Sequence, residues 1–299
     1  MQPAPASAAH AIGPYRGAPP AERLRPGGVL VPRTLVECRL VDAVALDIQG
    51  NLTSPRMGVL HTVMAVLTFG PLLAVAIGIP LGWPAVAALP AVIFAALFGW
   101  VWVMGVRGNR TGALINEDRW AEAEHAIGTR RFGTEILAGL CAQMRGDHAQ
   151  AEEIYHRGLQ VFENRRAHLQ PVHAQGYARQ ALALVNLGRP DWAQARLARM
   201  PVTGDYLTAL HLVASAYLLL GNGQPLPRDM VTALCRTFRP VRGAWGGLAL
   251  AAYGQERLGD AVGAQELLAE ERARVGAAAL VPVMPRLAAW AQQRGQPLG

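Results

Sequence analysis

Apolar residues are laid along this chain in two contrasting ways. From Met57 to Val106 they run almost unbroken, first MGVLHTVMAVLTFGPLLAVAIGIPLG and then, after Trp83, PAVAALPAVIFAALFGWVWVMGV, with no Asp, Glu, Lys or Arg in the stretch. Each run is longer than the roughly 20 apolar residues that cross a bilayer core, so the pattern predicts two transmembrane helices, 57–80 and 84–106. Only a short turn around Pro80 to Pro84 joins them, which makes them antiparallel neighbours. From about residue 117 the apolar positions instead recur at helical spacing among Ala, Leu, Gln, Glu and Arg, with Gly and Pro as punctuation, and this predicts helix after helix to the C-terminus.

The segments flanking these two regions are different again. Residues 1–32 carry Pro3, Pro5, Pro14, Pro19, Pro20, Pro26 and Pro32 among small residues and predict a flexible tail. Over 33–56 the apolar positions Leu35, Val36, Leu40, Val41, Val44 and Ile48 are interrupted by Glu37, Arg39, Asp42 and Asp47. That pattern admits an amphipathic juxtamembrane helix, a strand or a disordered segment. Residues 107–116 read as a linker. The expected fold class is therefore all-α, a membrane hairpin followed by a solenoid of stacked helix pairs over 117–299.

Charge sets the orientation. Arg39 and Arg56 precede the first apolar run, Arg107 and Arg110 follow the second, and the turn is uncharged, so both termini are expected on the cytoplasmic face of a bacterial inner membrane. Trp83 near the turn, and Trp100 and Trp102 near the far end, suit the two interfaces. Gly70, Ala74, Gly78 and Gly82 on the first span, and Ala87, Ala91, Ala95 and Gly99 on the second, form small-residue stripes that could seat the spans on each other or on a second copy. His61 is the one ionisable side chain in the stretch and lies near its start, which argues against a channel or proton relay. No secretory leader is expected from the first residues.

The net charge of +7 does not point to nucleic acid. Every basic residue is Arg, which with the abundance of Ala, Gly and Pro reads as coding bias, and the excess is spread along the chain instead of gathered on one face. Lipid headgroups are the expected anionic partner. Cys38, Cys141 and Cys235 are isolated, without CxxC or zinc spacing, and read as reduced thiols. No phosphate loop, nucleophile elbow or metalloprotease motif occurs. His168 and His173 lack further ligands, and the pairs Glu152-Glu153 and Glu270-Glu271 read as solvent-facing. No catalytic residue, cofactor or metal is expected.

Gly146, Ala151, Tyr155 and Gly158, with Gly139 before them, resemble the second half of a tetratricopeptide repeat, in which small residues let two helices cross closely and the aromatic fills the gap between them. Weaker copies follow: Leu187-Gly188 with Ala193 and Leu197; Leu220-Gly221 after Ala214 and Tyr217; and Leu258-Gly259-Asp260 with Ala264 and Leu268. Trp120 to Ile127 is a partial copy, and Leu287 to Gln293 resembles a capping helix. The resemblance implies a curved stack whose concave face binds a protein partner. On the family's register the groove would be lined by Ile136, Leu140, Gln143 and Met144, then Leu182, Val185 and Asn186, then His211 and Ser215, then Tyr253, Glu256 and Arg257. Leu140, Gln143, Met144, Leu182, Asn186, His211, Tyr253 and Arg257 are the foremost partner-binding candidates. Where relatives that clamp a peptide carboxylate carry basic and Asn residues, this chain has Ile136, Leu140, Ala178 and Leu182. An apolar segment is thus a better expected guest than a carboxyl terminus. The expected function is a membrane-anchored scaffold, or alternatively a non-catalytic regulatory or assembly subunit of a membrane complex.

Overall fold

The computed structural model describes residues 35–46, 52–53, 99, 110–128, 134–164 and 171–299. The tail 1–32 and, apart from Gly99, the apolar stretch 57–106 lie outside the described residues. No helix among the described residues is long and apolar enough to cross a membrane.

The described chain is all-α, with twelve helices that pair by short turns. They are α1 (110–116) with α2 (Trp120–Ile127), α3 (Glu135–Met144) with α4 (His148–Asn164), α5 (Pro171–Asn186) with α6 (Pro190–Ala198), α7 (Gly204–Gly221) with α8 (Arg228–Phe238), and α9 (Gly247–Arg257) with α10 (Ala261–Arg272). A short α11 (Leu280–Val283) and α12 (Pro285–Gln293) close the chain. The expected linker 107–116 is thus corrected. Its second half is the first helix of the stack, because Thr111, Ala113, Leu114 and Ile115 supply an apolar face that is buried.

One turn geometry recurs in all five pairs. The backbone N–H groups of Arg119, Asp147, Arg189, Gln224 and Asp260 reach back five residues to the carbonyls of Leu114, Ala142, Leu184, Leu219 and Gln255. The residue before each of these donors is left-handed: Asp118, Gly146, Gly188, Gly223 and Gly259. This is the helix-ending motif that satisfies the last carbonyls of a helix, and it favours glycine because a Cβ is strained there. The fourth turn residue is Gly223 and not Gly221, which evens the spacing of the turns from Gly188 onward.

Five residues beyond four of these turns lie Ala123, Ala151, Ala193 and Ala264, and one helical turn later Ile127, Tyr155, Leu197 and Leu268; all eight are buried. Small residues at close approach and a large one filling the next gap make the crossing. Gly139 shows why. A Cβ there would overlap the Tyr155 ring, and the ring's hydroxyl donates to Gln143 Oε1 at 2.9 Å.

The stack is closed by the chain's own ends. At the C-terminal side α11 packs on α3 while α12 packs on α7 and α9. At the N-terminal side, residues 35–46 form a strap that opens with a single 3-10 turn, Leu35–Glu37, and makes a second turn over 39–42, where Asp42 N–H donates to Arg39 C=O at 3.2 Å and Arg39 N–H to Asp42 Oδ2 at 3.0 Å. Two residues of the strap, Ala45–Leu46 (β1), pair antiparallel with Leu52–Thr53 (β2). The described part of this segment is mostly turns, with strand only at Ala45–Leu46. Its apolar residues face protein: Val36, Cys38, Leu40, Val41 and Ala43 are all buried.

Candidate functional site

The strap crosses the stack from the α8–α9 connection back to the end of α1 and the turn after it. At its start, Arg242 N–H donates to Val36 C=O at 2.7 Å and Leu40 N–H donates to Ala244 C=O at 3.0 Å. Between them Trp245 Nε1 donates to Cys38 C=O at 2.6 Å. Gly243 sits under that carbonyl so closely that any Cβ would overlap its oxygen, which accounts for glycine there. Further on, Arg179 of α5 donates from Nη2 to Asp42 C=O at 3.3 Å. At the far end the Asn116 side chain grips Ala43 at both backbone groups, Oδ1 accepting its N–H at 2.8 Å and Nδ2 donating to its C=O at 3.2 Å. The domain therefore addresses this segment chiefly through its backbone.

One side chain of the strap is read by charge. Arg39 Nε meets Asp42 Oδ1 at 2.8 Å, and Arg39 Nη1 meets both Asp118 oxygens at 2.9 and 2.7 Å. Burial works against the Arg39 charge, but the carboxylates of Asp42 and Asp118 outweigh it and hold the guanidinium above its usual range. Arg39, expected from the sequence among the charges that orient the apolar stretch, is 6% exposed in the fold.

Arg179 is the outlier. It is 1% exposed, and besides Asp42 C=O its Nη2 reaches only the Tyr206 hydroxyl, at 3.4 Å. Its Nε and Nη1 have no hydrogen-bond partner among the described residues. Buried donors left unmade cost stability, so this guanidinium has capacity the strap does not use. Burial also pushes the neighbouring Tyr206 hydroxyl up to about 12, which keeps it a neutral hydrogen-bonding group.

No family model matches the chain, and no curated protein or solved structure matches it.

The groove positions expected from the sequence fall into three groups. Leu140, Leu182 and Val185 are buried in the core. Gln143 and Tyr253 are buried and spoken for: Gln143 Nε2 donates to Arg179 C=O at 3.2 Å, and Tyr253 Oη donates to Gln224 C=O at 3.2 Å. The rest sit at the edge. Asn186 is half-buried and ties the closing segment down, donating to Val283 C=O at 2.9 Å and accepting from Tyr217 Oη at 2.5 Å. Ile136 and Met144 are half-buried against the core. His211 is half-buried beside Ser215, with Oγ 3.5 Å from Nδ1, and burial lowers its pKa. Arg257 is exposed over the Tyr253 ring, while Glu256 pairs with Arg294 at 2.9 Å. Trp290 of α12 packs edge-on against Tyr253, with centroids 5.7 Å apart. The chain's own C-terminal segment thus engages Asn186, Tyr253 and Glu256 among the positions that the resemblance implies for a partner.

Sequence reasoning missed the residues that hold the strap. Asn116 falls in the expected linker 107–116, and nothing local in the sequence marks Arg179. Glu271 was expected to face solvent beside Glu270; only Glu270 does. Glu271 is fully buried, and its carboxylate accepts the N–H groups of Trp245, Gly246 and Leu248 at 2.9–3.0 Å, capping α9 from the neighbouring helix. Asp118 did carry one signal: it stands where the other pairs place glycine.

Among the described residues no cluster of His, Cys, Asp or Glu could hold a metal ion.

Proposed function

We propose that this chain is a membrane-anchored scaffold, a tetratricopeptide-like helical stack held at the cytoplasmic face of a bacterial inner membrane by a two-span hairpin over 57–106, and that it binds a protein partner there. The observation that carries the reading is the junction between strap and stack. Residues on both sides of the apolar stretch belong to one packed body: Ala43 is bonded to Asn116, and Arg39 to Asp118. A charge-free run of fifty residues that leaves a body and returns to the same place suits an even number of spans, which is what two antiparallel helices provide. Lipid is then the second partner, and the small-residue stripes offer a route to a homo-oligomer within the membrane.

Topology tests this. In a chain with Cys235 changed to Ser, a single accessible cysteine is placed at Trp83 or at the exposed Trp192 and probed on intact cells with an impermeant thiol reagent. Labelling of W83C but not of W192C is expected. Labelling of W192C from outside, or recovery of the chain in the soluble fraction after lysis, overturns the reading.

A further inference from the structure

We propose that the seat occupied by residues 35–46 is a peptide-binding site, filled in cis by the chain's own segment, and that a partner presenting a turn of the pattern apolar–Arg–apolar–apolar–Asp takes the same place. In the strap that pattern is Cys38-Arg39-Leu40-Val41-Asp42. It deepens the scaffold reading by naming the chemistry of the partner, and its test is blind to membrane topology, so the two can fail separately.

Three observations carry it. First, the contacts are those of recognition. Trp245 Nε1, Arg179 Nη2, the Arg242 N–H, the Ala244 carbonyl and both ends of the Asn116 amide engage the segment's backbone, which any peptide possesses. Buried Cys38, Leu40 and Val41 and the Arg39–Asp118 pair then select the side chains. Second, the segment is remote in the chain from what holds it: Arg39 and Asp118 lie 79 residues apart, and Cys38 and Trp245 lie 207 apart. It reaches its seat as a guest and not as the next element of the stack. Third, the guest fits imperfectly. Arg179 keeps Nε and Nη1 unbonded in a buried place, and Asp118 holds a left-handed backbone, φ 61°, to present its carboxylate. A guest with a further acceptor beside Arg179 would relieve the first of these costs, so the seated segment is replaceable.

The test is peptide exchange. In the full detergent-solubilised chain, residues 47–51 are replaced by a protease recognition sequence, which removes the cis tether and its effective concentration when cut. A fluorescent peptide of residues 33–46 is then added. Uptake is expected, with an Arg39→Asp peptide binding at least tenfold more weakly, and with Asp118→Arg protein reversing that preference. The proposal is overturned if the cut protein keeps its fragment and takes up no peptide, if it unfolds on losing the fragment, or if uptake ignores the residue at 39. The first two results make the strap a fixed part of the core, and the third removes the pattern.

Discussion

The Arg39 guanidinium and the Asp118 carboxylate, 79 residues apart in sequence, meet through two hydrogen bonds of 2.9 and 2.7 Å at the one helix turn among the described residues where the left-handed residue is not glycine. The two facts explain each other. Glycine at 118 would suit the backbone, yet it would leave the buried Arg39 with Asp42 as its remaining carboxylate.

Substitution separates these effects. Asp118→Gly is expected to lose the ion pair and regain backbone ease, for a net cost of about 1–2 kcal/mol, whereas Asp118→Ala loses the pair without that relief and costs about 1 kcal/mol more. Urea unfolding of the two variants checks the order. Equal stabilities would mean that the left-handed backbone carries no strain.

Asn116 tests how the strap is held. Asn116→Ala removes both bonds to Ala43 and leaves that residue's backbone groups without them in a partly buried place, at a cost of about 1–3 kcal/mol. Hydrogen exchange should speed at Leu40 and Ala43 while α9 and α10 stay protected. Uniform acceleration across the stack would instead show that strap and stack unfold as one.

Glu271 caps α9 with three backbone bonds, so Glu271→Ala should cost about 3–4 kcal/mol by stranding three buried N–H groups. Glu271→Gln, with one acceptor oxygen in place of two, should fall between that and the parent. Thermal unfolding ranks the three. A Gln variant as stable as the parent would show that one oxygen suffices.

Gly139 probes the close crossing of α3 and α4. Gly139→Ala drives a methyl into the buried Tyr155 ring and is expected to cost about 1–3 kcal/mol. Tyr155→Phe keeps the packing and loses the bond to Gln143, for about 1 kcal/mol. Chemical unfolding distinguishes the two, and an Ala variant milder than the Phe variant would refute the steric account.

The stack should also weaken in mild acid. An ordinary histidine protonates near 6.5, and burial holds His173 to about 4, so the folded state accepts that proton later than the unfolded chain does. The resulting stability is whole above pH 6.5 and is lost as pH falls towards 4, amounting to about 2 kcal/mol after allowing for partial exposure. The same burial lowers His148 and His211. Comparing urea midpoints at pH 7 and pH 4.5 for the parent and His173→Gln isolates the His173 share; an identical pH dependence in the two proteins refutes it.

Periodicity and turn chemistry determined much of this molecule by themselves. The helix pairs, the left-handed glycines at 146, 188 and 259, and the fit of Gly139 to Tyr155 follow from local rules, because a helix end needs its carbonyls satisfied and a close crossing needs a small residue. Those rules act over a few residues and are written within them. The charge-free run 57–106 is local in the same sense, since the proposal that it enters lipid rests on its composition alone. Only the tertiary structure decided what fills the groove. Arg39 and Asp118, Asn116 and Ala43, Trp245 and Cys38, and Glu271 and the start of α9 are each brought together by the stacking of several helix pairs. In the sequence each of these residues looks like a solvated charge, a turn or a helix face, because burial and partnership at long range leave no periodic trace. The apolar groove implied by Leu140, Leu182 and Tyr253 is there as packing, and the structure adds that the chain's own residues 35–46 and 280–293 lie over the stack.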